Sequence, residues 1–215
     1  METKGIIFFT DNRLDERIAY EVQKQLLTIG LPIVSASLKP MDFGTNIHLP
    51  LERGYETYFK QILAALEAST ADIIFFCEHD VLYPKEHFDF TPPHTNVFYY
   101  DHNWVKVRLP DLLSARWSAD QVSGLVAYRE VLLDHYRKIV ASYSDKDFNR
   151  KFEPGSGLNS KSWKSPVPTV DIRHWGNLTK SKWSLDDFRD KRTSIDFEIV
   201  ECPNWALPMV QKMIQ

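Results

Sequence analysis

The chain has 215 residues, of which 43% are hydrophobic, 13% aromatic and 26% charged, with only 8 Gly and 12 Pro. This composition excludes collagen-like, low-complexity and disordered classes, and it predicts a folded protein whose core buries about 70% of the surface of the unfolded chain. The 26 Lys and Arg against 29 Asp and Glu give a net charge of -3 without any basic block, which disfavours nucleic acid as the main ligand.

The longest apolar runs are only as long as a β-strand. Gly5 to Phe9 and Ile73 to Cys77 fall far short of the roughly 20 residues that a helix needs to cross a bilayer. Charged residues follow the first run almost at once, so the start of the chain lacks the apolar core of a signal peptide. We therefore expect a cytoplasmic protein without a transmembrane segment.

The first 36 residues are predicted to form a strand, a helix and a second strand. Gly5 to Thr10 is a continuous apolar run that ends in a polar loop, as expected of a strand buried on both faces. Apolar residues then recur every three or four positions up to Gly30, with Pro32 behind it, which predicts a helix. Leu31 to Ala36 is predicted to be the second strand, so the unit implies a parallel pair.

A long loop, a second helix and a third strand follow. Between Ser37 and Arg53 no apolar period persists, and long loops of this kind are often functional. The segment from Tyr55 to Leu66 carries apolar side chains at helical spacing, and Ala71 to Cys77 is predicted to be a third buried strand. The continued alternation predicts an α/β fold.

Beyond Pro84 the predicted elements are shorter. Asn96 to Tyr100 and Trp104 to Leu109 are predicted strands. Gln121 to Tyr128 is a further candidate strand, although Leu125 could equally begin the helix that runs to about Ala141.

The chain after Tyr143 is polar and irregular, yet it contains several tryptophans that a linker would lack. We interpret this part as a C-terminal active-site loop. The whole chain, residues 1–215, is therefore expected to be one domain. A nucleotide-type half, 1–100, would precede an acceptor half, 101–215, that completes the pocket.

The strongest local signal is the acidic cluster that ends the third strand. Glu78, His79 and Asp80 follow the apolar run, at the edge where ligands bind in an open parallel sheet. If the backbone stays extended, Glu78 and Asp80 point to one side and His79 to the other. Two carboxylates there can hold a hard cation, Mg²⁺ or Mn²⁺, against a diphosphate. The alternative is a polar strand exit that caps backbone groups.

This order of elements resembles the nucleotide-sugar half of the GT-A fold glycosyltransferases, particularly family 2-like members. The resemblance covers residues 5 to about 100, and it includes the apolar strand that runs into Glu78, His79 and Asp80 with Pro84 four residues on. It implies a Rossmann-like mixed, mostly parallel sheet flanked by helices, a nucleoside diphosphate sugar donor with UDP favoured, and a Mn²⁺ or Mg²⁺ ion. The family's DxD motif begins with Asp, whereas this chain has Glu78, so Asp80 is the firmer candidate metal ligand.

The resemblance also implies which residues bind the nucleotide sugar. They come from the ends of the first two strands, the long loop, the second helix and the motif, and they are Thr10, Asp11, Asn12, Arg13, Ser35, Asn46, Arg53, Gln61 and His79. The residue types alone leave other interpretations open. Thr, Asp and Asn after a strand are ordinary helix N-caps, and Arg53 and Gln61 fit solvated helix positions equally well.

The last candidates lie in the second half of the chain. Asp, Arg, His and Trp crowd the stretch from Asp171 to Asn177, and the resemblance implies that His174 completes the metal site. From the residues alone, a structural histidine is the commoner case. An inverting transfer needs a carboxylate that takes the proton of the acceptor hydroxyl, and a retaining enzyme does not. Glu153, held between an aromatic residue and a turn, is the favoured base, and Asp120 is the alternative.

Two other functions remain open at this stage. Nucleotidyl transfer to a sugar phosphate is less favoured, because such enzymes usually have a glycine-rich, basic loop after the first strand, and Thr10 to Arg13 contains no glycine. A nucleotide-sugar or glycan-binding module with the same fold and no turnover is the alternative outside enzymes.

Overall fold

The computed structural model describes residues 2–109, 111–143, 159–174 and 198–214. Its strands and helices are, in chain order, β1 Lys4–Thr10, α1 Glu16–Leu27, β2 Ile33–Ser37, β3 Thr45–His48, α2 Tyr55–Ala68, β4 Ile73–Glu78, β5 Val81–Leu82, β6 Phe98–Asp101, β7 Trp104–Arg108, β8 Ser114–Trp117, β9 Leu125–Tyr128, α3 Arg129–Ser142, β10 Ser160–Trp163, β11 Thr169–Arg173, β12 Glu198–Val200 and α4 Leu207–Ile214.

Seven of the described strands form one sheet, in the order β10-β6-β9-β4-β1-β2-β3. β1 lies between β2 and β4 and runs parallel to both, and β3 adds a further parallel edge to β2. β9 runs antiparallel to β4 and to β6, while β10 is parallel to β6. The predicted mixed, mostly parallel sheet is therefore confirmed.

Two buried clusters cover the two faces of this sheet. Ile6 and Phe8 belong to a cluster that includes α1 and α4, whereas Ile7 and Phe9 belong to a second cluster with α2 and α3. Because successive residues of a strand point to opposite faces, helices flank the sheet on both sides. This explains why β1 is apolar almost throughout. Among the described residues, no helix combines the length and the apolar character that crossing a membrane would require.

A second sheet, with the described order β12-β8-β7-β11-β5, brings the C-terminal part of the chain to the end of β4. β11 pairs in parallel with β7 and antiparallel with β5. β5 follows β4 after the two-residue turn His79–Asp80, and the backbone N–H of Ile172 donates to the carbonyl of Asp80 at 2.8 Å. His174, which directly follows β11, is thereby carried to the acidic motif.

The structure corrects the sequence prediction in three places. The stretch from Ser37 to Arg53 contains β3, which lies at the edge of the sheet and is not fully buried, so it shows no apolar period. A short 3-10 turn, Val122–Gly124, precedes β9, and the helix begins only at Arg129. The C-terminal region predicted to be irregular contains β10, β11 and β12.

Candidate functional site

A cavity of about 290 Å³ opens at the carboxyl ends of β1 and β4. Ligands of open α/β sheets generally bind at this edge, which is where the sequence analysis expects the ligand. The ends of the two strands, the start of α2, the turn before β9 and one face of β11 form its wall. The lining residues are Phe9, Thr10, Asp11, Leu38, Arg53, Gly54, Tyr55, Thr57, Tyr58, Gln61, Glu78, His79, Asp80, Gln121, Ser123, Asp171 and Arg173.

Within the described part of the chain, His79, Asp80 and His174 form a group that could hold a metal ion. One ligand atom from each side chain lies within 4.8 Å of the others. Nε2 of His174 is 3.2 Å from Oδ2 of Asp80. Asp80 and His174 are buried, and His79 is partly exposed. Two imidazoles and one carboxylate suit a divalent transition metal.

The turn between β4 and β5 explains why His79 joins this group. β4 ends at Glu78, so the extended backbone that would have placed Glu78 and Asp80 on one side does not continue. His79 and Asp80 both lie in the turn and meet His174 there. Glu78 lines the same cavity but stands outside the group of three.

The charges around the group favour the protonation states that bind metal. Burial acts to raise the pKa of Asp80, but the hydrogen bond with His174 and nearby positive charges outweigh it, so this pKa is lowered. The pKa of His79 is also lowered, chiefly because burial disfavours the charged imidazolium. An ionised carboxylate and a neutral imidazole are the forms that coordinate a metal ion.

Thr10 is the last residue of β1, and it lines the cavity. Its Oγ1 is 2.7 Å from Nδ1 of His79 and accepts the backbone N–H of Asn12 at 3.1 Å. The N-cap of α1 is Asp15, not any of the residues from Thr10 to Asn12, so the alternative interpretation of these residues as helix caps is wrong.

Asn12 fixes the loop after β1 to the loop after β2. It has a positive φ of 56°, which Asn tolerates better than most residues. Its Oδ1 accepts the backbone N–H groups of Leu38 and Lys39 at 2.8 and 2.9 Å. Arg13 is exposed and lies outside the cavity wall.

Arg53 and the start of α2 place hydrogen-bond donors on one side of the cavity. Nε of Arg53 donates to Oδ2 of Asp11 at 2.5 Å, and both side chains are mostly buried. Gly54, the N-cap of α2, makes no side-chain capping bond. The first N–H groups of a helix have no intrahelical acceptor and carry partial positive charge. The first N–H groups of α2, together with Arg53 once it leaves Asp11, can donate to an anion.

Three other predicted binding residues support the loops around the cavity. Nε2 of Gln61 donates to the carbonyls of Thr10 and Ala36 at 2.7 and 3.2 Å, which ties the ends of β1 and β2 together. Asn46 donates to the hydroxyl of Ser35 at 2.9 Å. Gln61 lines the cavity, whereas Ser35 and Asn46 do not, because their polar atoms lie in the network beneath the β2–β3 loop.

The structure describes one of the two candidate bases, Asp120, and not the other, Glu153. Asp120 is exposed, and its Oδ1 lies 2.7 Å from Nε2 of His102. It precedes Gln121, which lines the cavity, but it is not itself part of the wall. Glu153 lies outside the described residues, as does most of the predicted C-terminal active-site loop, 144–158 and 175–197.

Sequence reasoning missed several residues of the wall. Tyr55 and Tyr58 supply aromatic surface from the first turns of α2, and Gln121 and Ser123 come from the turn before β9. Nothing in their sequence context, a helix or a turn, indicates that these side chains line a cavity. Asp171 and Arg173 do carry a signal, since they alternate with the apolar residues Val170 and Ile172 along β11 and so share one face.

No family model matches the sequence, and comparison with curated proteins gives no match either. Several solved structures share the arrangement of strands and helices. The inositol-1-phosphate CTP transferase from T. maritima aligns with a TM-score of 0.48 and 12% identity, over 99% of this chain and 97% of that one.

Two glycosyltransferase structures align similarly. One, involved in the glycosylation of the major capsid of PBCV-1, has a TM-score of 0.46 and 9% identity, over 78% of this chain and 92% of that one. The other, a Drosophila β-1,4-galactosyltransferase 7 mutant in complex with manganese, UDP-Gal and xylobiose, has a TM-score of 0.45 and 11% identity, over 96% and 79%. Likeness at this level concerns the fold alone and assigns neither a family nor an activity to this chain.

Proposed function

We propose that the protein is a metal-dependent glycosyltransferase that takes its sugar from a nucleoside diphosphate donor, with UDP as the first nucleotide to test. One observation carries the proposal: a single cavity is lined by His79 and Asp80 of the candidate metal group and, on another side, by Arg53 and the start of α2. A diphosphate suits such a cavity, because its oxygens bind both a divalent cation and helix N-terminal N–H groups.

The side chains of His79, Asp80 and His174 would hold the ion, and Glu78 stays a predicted ligand beside them. A bound divalent cation would neutralise the negative charge that develops on the departing diphosphate. Imidazole nitrogens suit transition metals, whereas Mg²⁺ prefers oxygen ligands. We therefore expect Mn²⁺ to bind more tightly than Mg²⁺.

The rest of the wall would position the donor. Tyr58 packs edge-to-face against Phe9, with ring centroids 5.3 Å apart, and so provides a firm aromatic surface for a base or a sugar. Asp11 can accept hydrogen bonds from the nucleoside if Arg53 turns to the diphosphate. Asp171 accepts from Arg173 at 2.8 Å on the opposite wall, where sugar hydroxyls could bind.

Inverting transfer would require a base near the acceptor. The acceptor oxygen bonds to the anomeric carbon as the bond to the diphosphate breaks, and a carboxylate takes the hydroxyl proton. Asp120, oriented by His102 at 2.7 Å, and Glu153 remain the proposed bases.

A thermal-shift panel of UDP, GDP, CDP and ADP, each with Mn²⁺, with Mg²⁺ or with neither, tests the donor site. A ligand at one hundred times its dissociation constant adds about 2.7 kcal/mol to the stability of the native state. We expect one nucleotide to stabilise the protein only with metal. Hydrolysis of the matching nucleotide sugar then separates an enzyme from a binding module, and no shift with any nucleotide would contradict the proposal.

Replacing Arg53 by Gln should weaken nucleotide binding without removing metal binding. A hydrogen bond to a charged group contributes about 1.5–3 kcal/mol, so we expect roughly a 10- to 100-fold loss of affinity for the nucleoside diphosphate in calorimetry. Arg137→Gln is the matched control, because Arg137 is exposed and pairs with Glu67 on the helices. Equal affinities of the two variants would exclude Arg53 from the diphosphate site.

A further inference from the structure

Thr10 connects the loop after β1 to one of the candidate metal ligands. Thr10 is buried at the end of β1, and its Oγ1 lies 2.7 Å from Nδ1 of His79. The same oxygen accepts the backbone N–H of Asn12 at 3.1 Å, while the Thr10 carbonyl accepts Nε2 of Gln61 at 2.7 Å. These bonds hold the hydroxyl in a fixed place against the imidazole.

The position of this hydroxyl decides which imidazole nitrogen is available to a metal ion. A neutral imidazole coordinates through the nitrogen that carries no proton, and the other nitrogen donates a hydrogen bond. Nδ1 of His79 faces Thr10, so Nε2 is the nitrogen left for the ion. Oγ1 has two lone pairs and can accept from both Nδ1–H and the N–H of Asn12.

We infer that Thr10 is a positioning residue for the metal site, whose hydroxyl oxygen holds His79 in the tautomer that carries its proton on Nδ1. The inference rests on the proposed function only in requiring that His79, Asp80 and His174 bind a metal ion. Thr10 itself touches no ion in this arrangement. It acts through the orientation and tautomer of His79, as outer partners of metal-bound histidines generally do.

The substitution Thr10→Val removes the oxygen and keeps the branched shape that suits the end of a strand. Loss of such an outer partner typically weakens metal binding about 10- to 100-fold, and we expect that loss for Mn²⁺ in a titration of the full chain followed by electron paramagnetic resonance. Thr10→Ser keeps the oxygen and should bind Mn²⁺ nearly as well as the wild type. Unchanged Mn²⁺ affinity in Thr10→Val would overturn the inference.

A spectroscopic measurement tests the tautomer directly, and its decisive result comes from the wild-type chain. With diamagnetic Zn²⁺ as the probe, ¹⁵N-resolved NMR of the wild-type chain should show a protected ring N–H at Nδ1 of His79. Thr10→Ser should retain that signal and Thr10→Val should lose it. A proton found on Nε2 in the Zn²⁺-bound wild type would overturn the inference.

The outcomes also separate this inference from the proposed function. A wild-type chain that binds neither Mn²⁺ nor Zn²⁺ would contradict the metal site itself, and the role of Thr10 with it. Wild-type binding that Thr10→Val leaves unchanged would overturn only the role of Thr10.

Discussion

The substitution Asp80→Asn should reduce the Mn²⁺ affinity of the protein more than about 100-fold, because changes in outer partners alone typically cost 10- to 100-fold. Asn keeps the shape of the side chain but removes the one carboxylate among His79, Asp80 and His174. The bond from Ile172 N–H to residue 80 uses the backbone carbonyl and is unaffected. Calorimetric titration with Mn²⁺, followed by assay of donor hydrolysis, measures the effect.

The control is Asp42→Asn, which removes a carboxylate from an exposed position in the loop before β3. It should leave Mn²⁺ binding unchanged.

Because the pKa of Asp80 is lowered in the folded state, its ionised form stabilises the fold above its unfolded pKa of about 3.9. The stability difference between wild type and Asp80→Asn without metal should therefore shrink as the pH falls through the lowered pKa. Tight Mn²⁺ binding by Asp80→Asn would refute the metal site.

The substitution Gly124→Ala should destabilise the protein by about 1–3 kcal/mol, the usual cost of overpacking a core. A Cβ at this position would lie 2.4 Å from Cζ2 of Trp104 and 3.3 Å from the carbonyl of Asp101. Trp104 is fully buried, and its indole N–H donates to that carbonyl, so the ring cannot move aside easily. Urea unfolding monitored by circular dichroism measures the difference in the free energy of unfolding.

Gly54→Ala is the matched control for stability. A Cβ there meets no atom within 4 Å, and the φ of 174° is extended backbone that alanine adopts freely. Because alanine is a poorer N-cap than glycine, we expect a loss in the free energy of unfolding below about 1 kcal/mol, smaller than that of Gly124→Ala. If Gly124→Ala were equally stable, the packing of Trp104 against the turn before β9 would be looser than the structure indicates.

The long elements of the first half could be predicted because each combines an apolar pattern with clear stop signals. β1, α1, α2 and β4 all lie where the periodicity placed them. β3 was not predicted because an edge strand buries few side chains. β10, β11 and β12 were not predicted because each has only three to five residues, which pair with strands distant in sequence. Such pairings depend on contacts that no local pattern contains.

In the candidate site, too, some features could be predicted from the sequence and others could not. Asp80 and His174 were singled out as metal ligands, and the structure brings them together across 94 residues of chain. The place of His79 beside them could not be predicted, because it depends on the backbone leaving the extended conformation after Glu78. The positions of Ser35 and Asn46 outside the cavity depend on how the β2–β3 loop folds back.

The pairing of β11 with β5 has a consequence for how the protein responds to metal. An ion shared by Asp80 and His174 would act as a cross-link that closes a loop of more than 90 residues, and cross-links over long loops restrict the unfolded chain most. Metal binding should therefore slow amide hydrogen exchange in β11 and β7 as well as at the cavity. The ion would fasten the end of β11 to the turn after β4, so metal binding should stabilise the fold around the cavity as well as the site.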